Sequence, residues 1–349
     1  MVINKQENTE KLYVAEISFL EWESLWLKIP KANLLQSWHY GTTKEQTSNW
    51  RACRLVVSDE NGRPVALAQW LVRAWPIVGG IARLNRGPQL LDSYSDEEGM
   101  RVGFEVLKKL VDEARKKRWW VVQIAPELLH SDYLREGLKG LGFHSADPIA
   151  WGSGLIDLMK EESKLLMQLD GKWRNCMRKG EKLGVIVKKE AAAGNNLEML
   201  IAAYTGLQDA RKFEGLSEKL IRNLATQSGE KWSFDLFMAF DSSSNITNNE
   251  PIGQLVLIRH GDTVSYLIGI TNDKGRQMQA NSVLLWHSII YAKSIGCHWF
   301  DIGGLNARTT KGIAKFKKGL NATPYELVGE WRGYLFPWQR FYKPQKTVL

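Results

Sequence analysis

Two stretches of the chain carry the same succession of apolar patterns. The first begins at Asn61-Gly62, a hairpin-turn signal. Apolar-rich runs at residues 64–72 and 81–84 predict two strands. After Gly87-Pro88 and a polar loop, Val102, Val106, Leu110 and Ala114 recur at helical spacing and predict a helix over about 96–117. A buried strand over 119–124, a short helix over 131–141 that stops at Gly142, and a strand opening at Phe143 complete the series.

The second stretch begins near Asn249. Strands are expected over 252–259 and 263–270, joined by His260-Gly261-Asp262. A polar loop with Asn272 and Gly275 precedes a helix over about 279–294, whose stripe holds Val283, Trp286 and Ile290 and which stops at Gly296. A strand over 298–302, Gly303-Gly304, a short basic helix over 310–318 and a strand over 325–328 follow. Both stretches therefore read strand, strand, helix, strand, helix, strand, and VVQIAP and WFDIGG occupy the same slot. The repeat predicts two α/β modules, each a mixed twisted sheet flanked by helices. The first should span 1–150, with the tail 335–349 joining it. The second should span 151–334 and include a connector helix over 172–182.

Composition narrows the class. At 349 residues, 44% hydrophobic and 24% charged, the chain has room for two cores and sits near globular averages. No apolar run reaches the roughly 20 residues of a membrane span. Residues 1–14 lack a signal-peptide pattern, so the expected location is the cytoplasm or the inner face of the membrane. Cys53, Cys176 and Cys297 stand apart, which predicts neither a disulfide framework nor a metal site. The net charge of +9 and a pI of about 9.3 favour a polyanionic partner. Seven basic residues and one acidic residue lie between Lys172 and Lys189. Within that run Arg174, Arg178 and Lys182 share one helical face, which suits phosphates or RNA and equally suits a solvated surface.

The repeated order resembles the GCN5-related N-acetyltransferase module, present twice. Four stretches resemble, more specifically, the Fem-type peptidyltransferases. They are LLQSWHYG (34–41) with Lys44; Arg86-Gly87-Pro88 with Asp92; Lys172-Trp173-Arg174-Asn175 with Arg178-Lys179 and Gly184-Val185; and Phe300-Asp301-Ile302-Gly303-Gly304 leading to Phe316-Lys317-Lys318-Gly319. The resemblance implies transfer of an amino acid from aminoacyl-tRNA to an amine of a peptidoglycan or other phosphate-linked cell-envelope precursor, with no cofactor or metal and with a peripheral membrane contact among the expected partners. One departure is that residues 213–233 are too few for the coiled-coil pair of longer members. A second is that Arg86 stands where an aromatic residue is expected.

The resemblance also implies site residues. Lys44, beside Trp38, would meet the diphosphate of a nucleotide-linked acceptor, and Arg211 would supply a second phosphate contact; an exposed lysine and a helix-surface arginine are the plainer readings. Lys317 would stabilise the oxyanion formed on the aminoacyl ester or hold tRNA phosphates beside it, and Lys318 is a second candidate for those phosphates. Asp92 could accept the proton of the attacking amine or simply serve its turn. Tyr266 would line the site or pack, and Asp301 would orient the Gly303-Gly304 loop. The acceptor was expected on the first module and the donor on the second, with chemistry in the cleft between them.

The chain has no convincing loop for coenzyme A. Residues 89–93 lack glycine and residues 272–277 have one, whereas a pyrophosphate cradle needs several. Two alternatives stand beside the aminoacyltransferase. One is an N-acyltransferase using acyl-CoA or another donor on an envelope polysaccharide or nucleotide sugar. The other is a non-catalytic RNA- or envelope-binding protein.

Overall fold

Strict alternation of buried and exposed positions along Arg51–Ser58, and continuous burial of Ala66–Val72 beside it, show how the first sheet starts: an edge-side strand against a central one. The computed structural model describes residues 11–76, 78–92, 96–147, 149–243 and 250–336. They form two compact units. The first takes its residues from 1–29, 50–148 and 328–349, and the second from 30–49 and 149–327.

The first unit holds β1 (Tyr13–Glu16), α1 (Phe19–Trp26), β2 (Arg51–Ser58), β3 (Pro64–Trp75), β4 (Gly79–Asn85), β5 (Gln89–Leu90), α3 (Asp96–Lys116), β6 (Trp119–Ala125), α4 (Asp132–Gly140) and β7 (Phe143–Asp147). The second holds α2 (Trp38–Thr47), β8 (Gly152–Asp157), α5 (Glu162–Gln168), α6 (Gly171–Lys182), β9 (Val185–Glu190), α7 (Gly194–Arg211), α8 (Glu218–Thr226), β10 (Trp232–Asp241), β11 (Gly253–His260), β12 (Thr263–Thr271), α9 (Asp273–Gln277), α10 (Ala280–Ser294), β13 (Trp299–Asp301), α11 (Lys311–Lys318) and β14 (Thr323–Glu326). The last described strand, β15 (Glu330–Tyr334), belongs to the first unit.

The first sheet runs β1-β2-β3-β4-β6-β15-β7, and the second β14-β8-β13-β12-β11-β10-β9. The two orders match element by element. In both, a hairpin (β3–β4, β11–β12) is followed across a helix by a parallel strand (β6, β13), as the repeat predicted. In both, the next place is filled by a strand that the repeat did not contain. β8, which follows the first module in sequence, pairs with β13 and β14 of the second sheet. β15, which follows the second, pairs with β6 and β7 of the first. The fold is thus mixed α/β with two mixed sheets flanked by helices.

Two differences from the sequence reading have clear causes. Residues 30–49 group with the second unit rather than the first, because α2 packs on α8. The polar loop expected at 272–277 contains the short helix α9, capped by Asn272 accepting from the Gly275 amide at 2.8 Å. Residues 213–233 hold the short helix α8, in keeping with their being too few for a long helical pair. Of the expected loops, residues 93–95 and 244–249 lie outside the described residues, as does 337–349 of the tail.

Each sheet has its own core. Trp70, Leu107, Leu110, Val122 and Ile124 anchor the first. In the second, one face packs Leu255, Leu257, Val264 and Phe300 against α6 and α10, and the other packs Leu236, Val256 and Ile258 against α7 and α8. The approach of α6 to α10 requires Gly180: a Cβ there would lie 2.5 Å from Val283 and 2.9 Å from the Met278 carbonyl. Gly180→Val should therefore lower stability by about 1–3 kcal/mol through overpacking. Equilibrium urea unfolding measures this, and an unchanged midpoint would contradict the close approach.

Candidate active site

The two sheets differ where their parallel strands end. In the first, β4 and β6 stay paired from Gly80–Trp119 to Asn85–Ala125. Just beyond, Arg86, itself buried, makes a bidentate ion pair with Glu127. In the second, β12 and β13 pair only over Thr263–Ser265 and Trp299–Asp301. β12 then continues to Thr271 along β11, with a register shift between Val256 and Leu257, while the other strand turns away through Gly303-Gly304. Strands that part in this way open a crevice at their carboxyl ends, the usual ligand position in such sheets.

Asp301 ends β13 where the two strands part. Its buried carboxylate accepts from Ser153 Oγ of β8 at 2.5 Å, from the Gly303 amide at 2.8 Å and from the Tyr325 hydroxyl of β14 at 3.0 Å. Ser153 Oγ also reaches the Gly303 carbonyl at 2.9 Å. Asp301 therefore orients the glycine loop. Gly303 has φ +73°, and a Cβ there would lie 2.8 Å from the Tyr266 carbonyl and 3.2 Å from Lys317 Nζ, so only glycine fits without strain. Beneath the same sheet face, His260 Nε2 lies 2.9 Å from Ser265 Oγ, and burial lowers the His260 pKa to about 4, leaving a neutral ring.

Lys317 enters from α11. On this helix Lys311, Lys315 and Lys318 face solvent, whereas Lys317 points inward at 9% exposure. Phe316 packs on Trp173 of α6 with ring centroids 5.7 Å apart, and the Asp170 amide donates to the Gly319 carbonyl at 2.8 Å, which fixes the end of α11. The Lys317 ammonium donates to the Gly304 carbonyl at 3.0 Å and lies 5.5 Å from the Tyr266 ring centre. Among the described residues no carboxylate lies within ion-pair distance of it. Burial lowers its pKa to about 8, against the opposing pull of the Asp301 charge. Tyr266 is half-buried, and desolvation of its phenol pushes the pKa well above the ordinary value.

Thus Lys317, Tyr266, Gly303 and Gly304 come together in the second unit. The other expected site residues are dispersed. Lys44 and Trp38 are half-buried on α2 of the second unit, not on the first as expected. Arg211 is exposed at the last position of α7. Arg178, Lys182 and Lys318 are exposed. Two expectations need correction. Arg174 is not open to a phosphate: its guanidinium donates to the Leu166, Met167 and Leu169 carbonyls and closes the end of α5. Asp92 is not poised as a base: its solvent-facing carboxylate accepts from Arg63 at 2.6 Å, so its role is in the turn. Ser153 and Tyr325 escaped the sequence reading because neither carries a local motif, and only strand pairing brings them to Asp301.

Asp301→Asn should lower the Lys317 pKa further below 8, because it removes the charge that favours the ammonium. The pH dependence of amine labelling at Lys317, read by mass spectrometry, tests this. An unmoved or raised midpoint would contradict the assigned electrostatics.

Similarity to known proteins bears on the family and the fold. The model of the FemAB family matches residues 238–347, which include Tyr266, the glycine loop and Lys317. No curated protein sequence matches the chain. Among solved structures, FemX superposes with a TM-score of 0.74 at 17% identity, covering 94% of this chain and 99% of its own. A tandem GNAT protein from the clavulanic acid biosynthesis pathway gives 0.54 at 12% identity, with 94% and 99% covered. The C-terminal domain of a putative lysylphosphatidylglycerol synthetase from Agrobacterium fabrum gives 0.53 at 11% identity, with 91% and 93% covered. The Fem-type resemblance therefore holds: residues 238–347, which contain the motif at 300–319, match the FemAB family, and the fold along the chain is similar to that of FemX.

Proposed function

We propose that the protein is a Fem-type aminoacyltransferase that moves an amino acid from aminoacyl-tRNA to an amine of a phosphate-linked cell-envelope precursor. The observation that carries this reading is a buried ammonium, Lys317, which donates to the Gly304 carbonyl and has, among the described residues, no carboxylate within ion-pair distance, beside the point where the parallel strands part. A buried cation without a counter-ion favours an anion that forms beside it. When an amine attacks the aminoacyl ester, the carbonyl electrons move to oxygen, and the Lys317 ammonium is the group suited to stabilise that charge. Collapse then breaks the ester bond to the ribose oxygen, which takes up a proton as the amine loses one. Arg178, Lys182 and Lys318 are exposed cations in the same unit and suit RNA phosphates. Lys44 and Arg211 remain the candidates for the acceptor's phosphates.

The acyl-CoA alternative has less support. Gly275, the sole glycine of 272–277, is consumed by packing: a Cβ there would lie 2.0 Å from the Ile252 carbonyl. Its neighbours form α9, capped by Asn272. The loop is built against the strand and not as a pyrophosphate cradle.

Incubation with charged tRNA or acyl-CoA and a peptidoglycan precursor, followed by mass analysis, should show transfer from charged tRNA. Transfer from acyl-CoA alone would refute the reading. Lys317→Ala should reduce kcat by about 10²-fold or more with little change in KM. Because the charged form is the active one, kcat/KM should fall as pH rises through about 8, and Lys317→Arg should move that limb upward. A Lys317→Ala enzyme of full activity would remove the residue from the chemistry.

A further inference from the structure

The β3–β4 hairpin carries a feature that the transfer chemistry does not use. β3 runs on past β2, whose pairing ends at Arg51–Val72, so residues 73–75 and 79–80 project beyond that neighbour. At the turn, the Val78 amide donates to the Pro76 carbonyl at 2.8 Å. Ala74, Trp75, Pro76 and Val78 all face solvent, Trp75 at 51% and Val78 at 72% exposure. A tip made wholly of apolar groups gains nothing from water, and the remaining exposed large apolar residues are scattered over other elements.

Positive charge lies next to the tip. Of the four arginines in residues 61–91, Arg63 and Arg86 lie at the far end of the hairpin, paired with Asp92 and Glu127, whereas Arg73 and Arg83 lie nearer the tip, both over the Trp50 ring. Arg73, two places before Trp75 on the same sheet face, lies 4.4 Å from the Trp50 ring centre. On the other side, the Gly80 amide donates to the Arg118 carbonyl at 2.9 Å, which sets the exposed run Lys116-Lys117-Arg118 beside the turn. Lys116 and Lys117 are shared with Glu113 and Glu16, whereas Arg118 extends into solvent. The Trp120 indole packs over Gly79, where a Cβ would come within 2.1 Å of it, and adds a second tryptophan at the base.

We propose that this hairpin tip docks on the surface of an anionic lipid bilayer. Tryptophan prefers the headgroup level, where its ring is apolar and its N–H stays wet, and cations one layer behind reach lipid phosphates. The excess of cations beside the tip, the exposed Arg118 among them, favours an anionic bilayer over an apolar protein groove. The tip lies at the opposite end of the first sheet from Arg86 and Glu127, so a docked hairpin leaves that unit's strand ends uncovered. No helix among the described residues is long and apolar enough to cross a membrane, so such attachment would be peripheral. This inference is independent of the aminoacyl reading.

Co-sedimentation of the full chain with vesicles of phosphatidylglycerol and phosphatidylcholine, against phosphatidylcholine alone, tests the proposal. Binding is expected to the anionic vesicles and to weaken with salt. Trp75→Ser/Val78→Ser should reduce it about tenfold, and Arg118→Glu should reduce it severalfold. Met167→Ser, at an exposed apolar site of the second unit, should leave it unchanged. A thermal midpoint equal to wild type shows that the double variant is folded. Wild-type indifference to anionic vesicles, full binding by the folded double variant, or loss of a wild-type dimer in that variant in place of lost lipid binding would overturn the proposal.

Discussion

Asp301 is the group on which the site depends. A carboxylate taken out of water at a strand end costs several kcal/mol unless its lone pairs are met. Here they are met by a serine, a backbone amide and a phenol. The donors come from β8, from the loop after β13 and from β14, so satisfying one charge also draws together the open side of the second sheet. The Gly303 loop can then hold a left-handed turn, and its Gly304 carbonyl is placed to receive Lys317. The lysine is shifted by burial but retains the distant pull of Asp301, which keeps its pKa near the working range of a cell rather than far below it.

The same fold serves the two units differently. In the first sheet the parallel strands remain paired to their ends, and the place beyond them is filled by the Arg86–Glu127 pair. A buried bidentate pair is self-satisfied and offers little to a ligand. In the second sheet the corresponding strands part, and the cation that arrives has no carboxylate within ion-pair distance among the described residues. Duplication therefore yields one closed strand end and one receptive one. Each sheet is also completed by a strand lying outside the repeated set, β15 in the first and β8 in the second, so neither module closes its sheet with its repeat alone.

Much of this was legible in the sequence because it rests on local physics. Apolar periodicity located the hairpins, α3, α10 and the parallel strands to within a few residues, and the stop at Gly296 and the basic helix after Gly303-Gly304 were correctly placed. The first β8–β9 region was harder. Gly152–Asp157 is short and glycine-rich, and its strand character arises from partners at 299–301 and 323–326. Arg174 shows the limit from the other side. Its spacing with Arg178 and Lys182 is a true helical stripe, yet the carbonyls that engage its guanidinium end the preceding helix.

The sequence by itself determined the duplicated α/β modules, the glycine loop and the basic helix that bears Lys317, because each depends on residue types at near spacing. Only the tertiary structure decided which lysine is buried, which arginine is spent on carbonyls, which aspartate is engaged at a turn, and to which unit residues 30–49 belong. Those outcomes depend on desolvation and on how neighbouring elements pack, which the residue types alone do not encode.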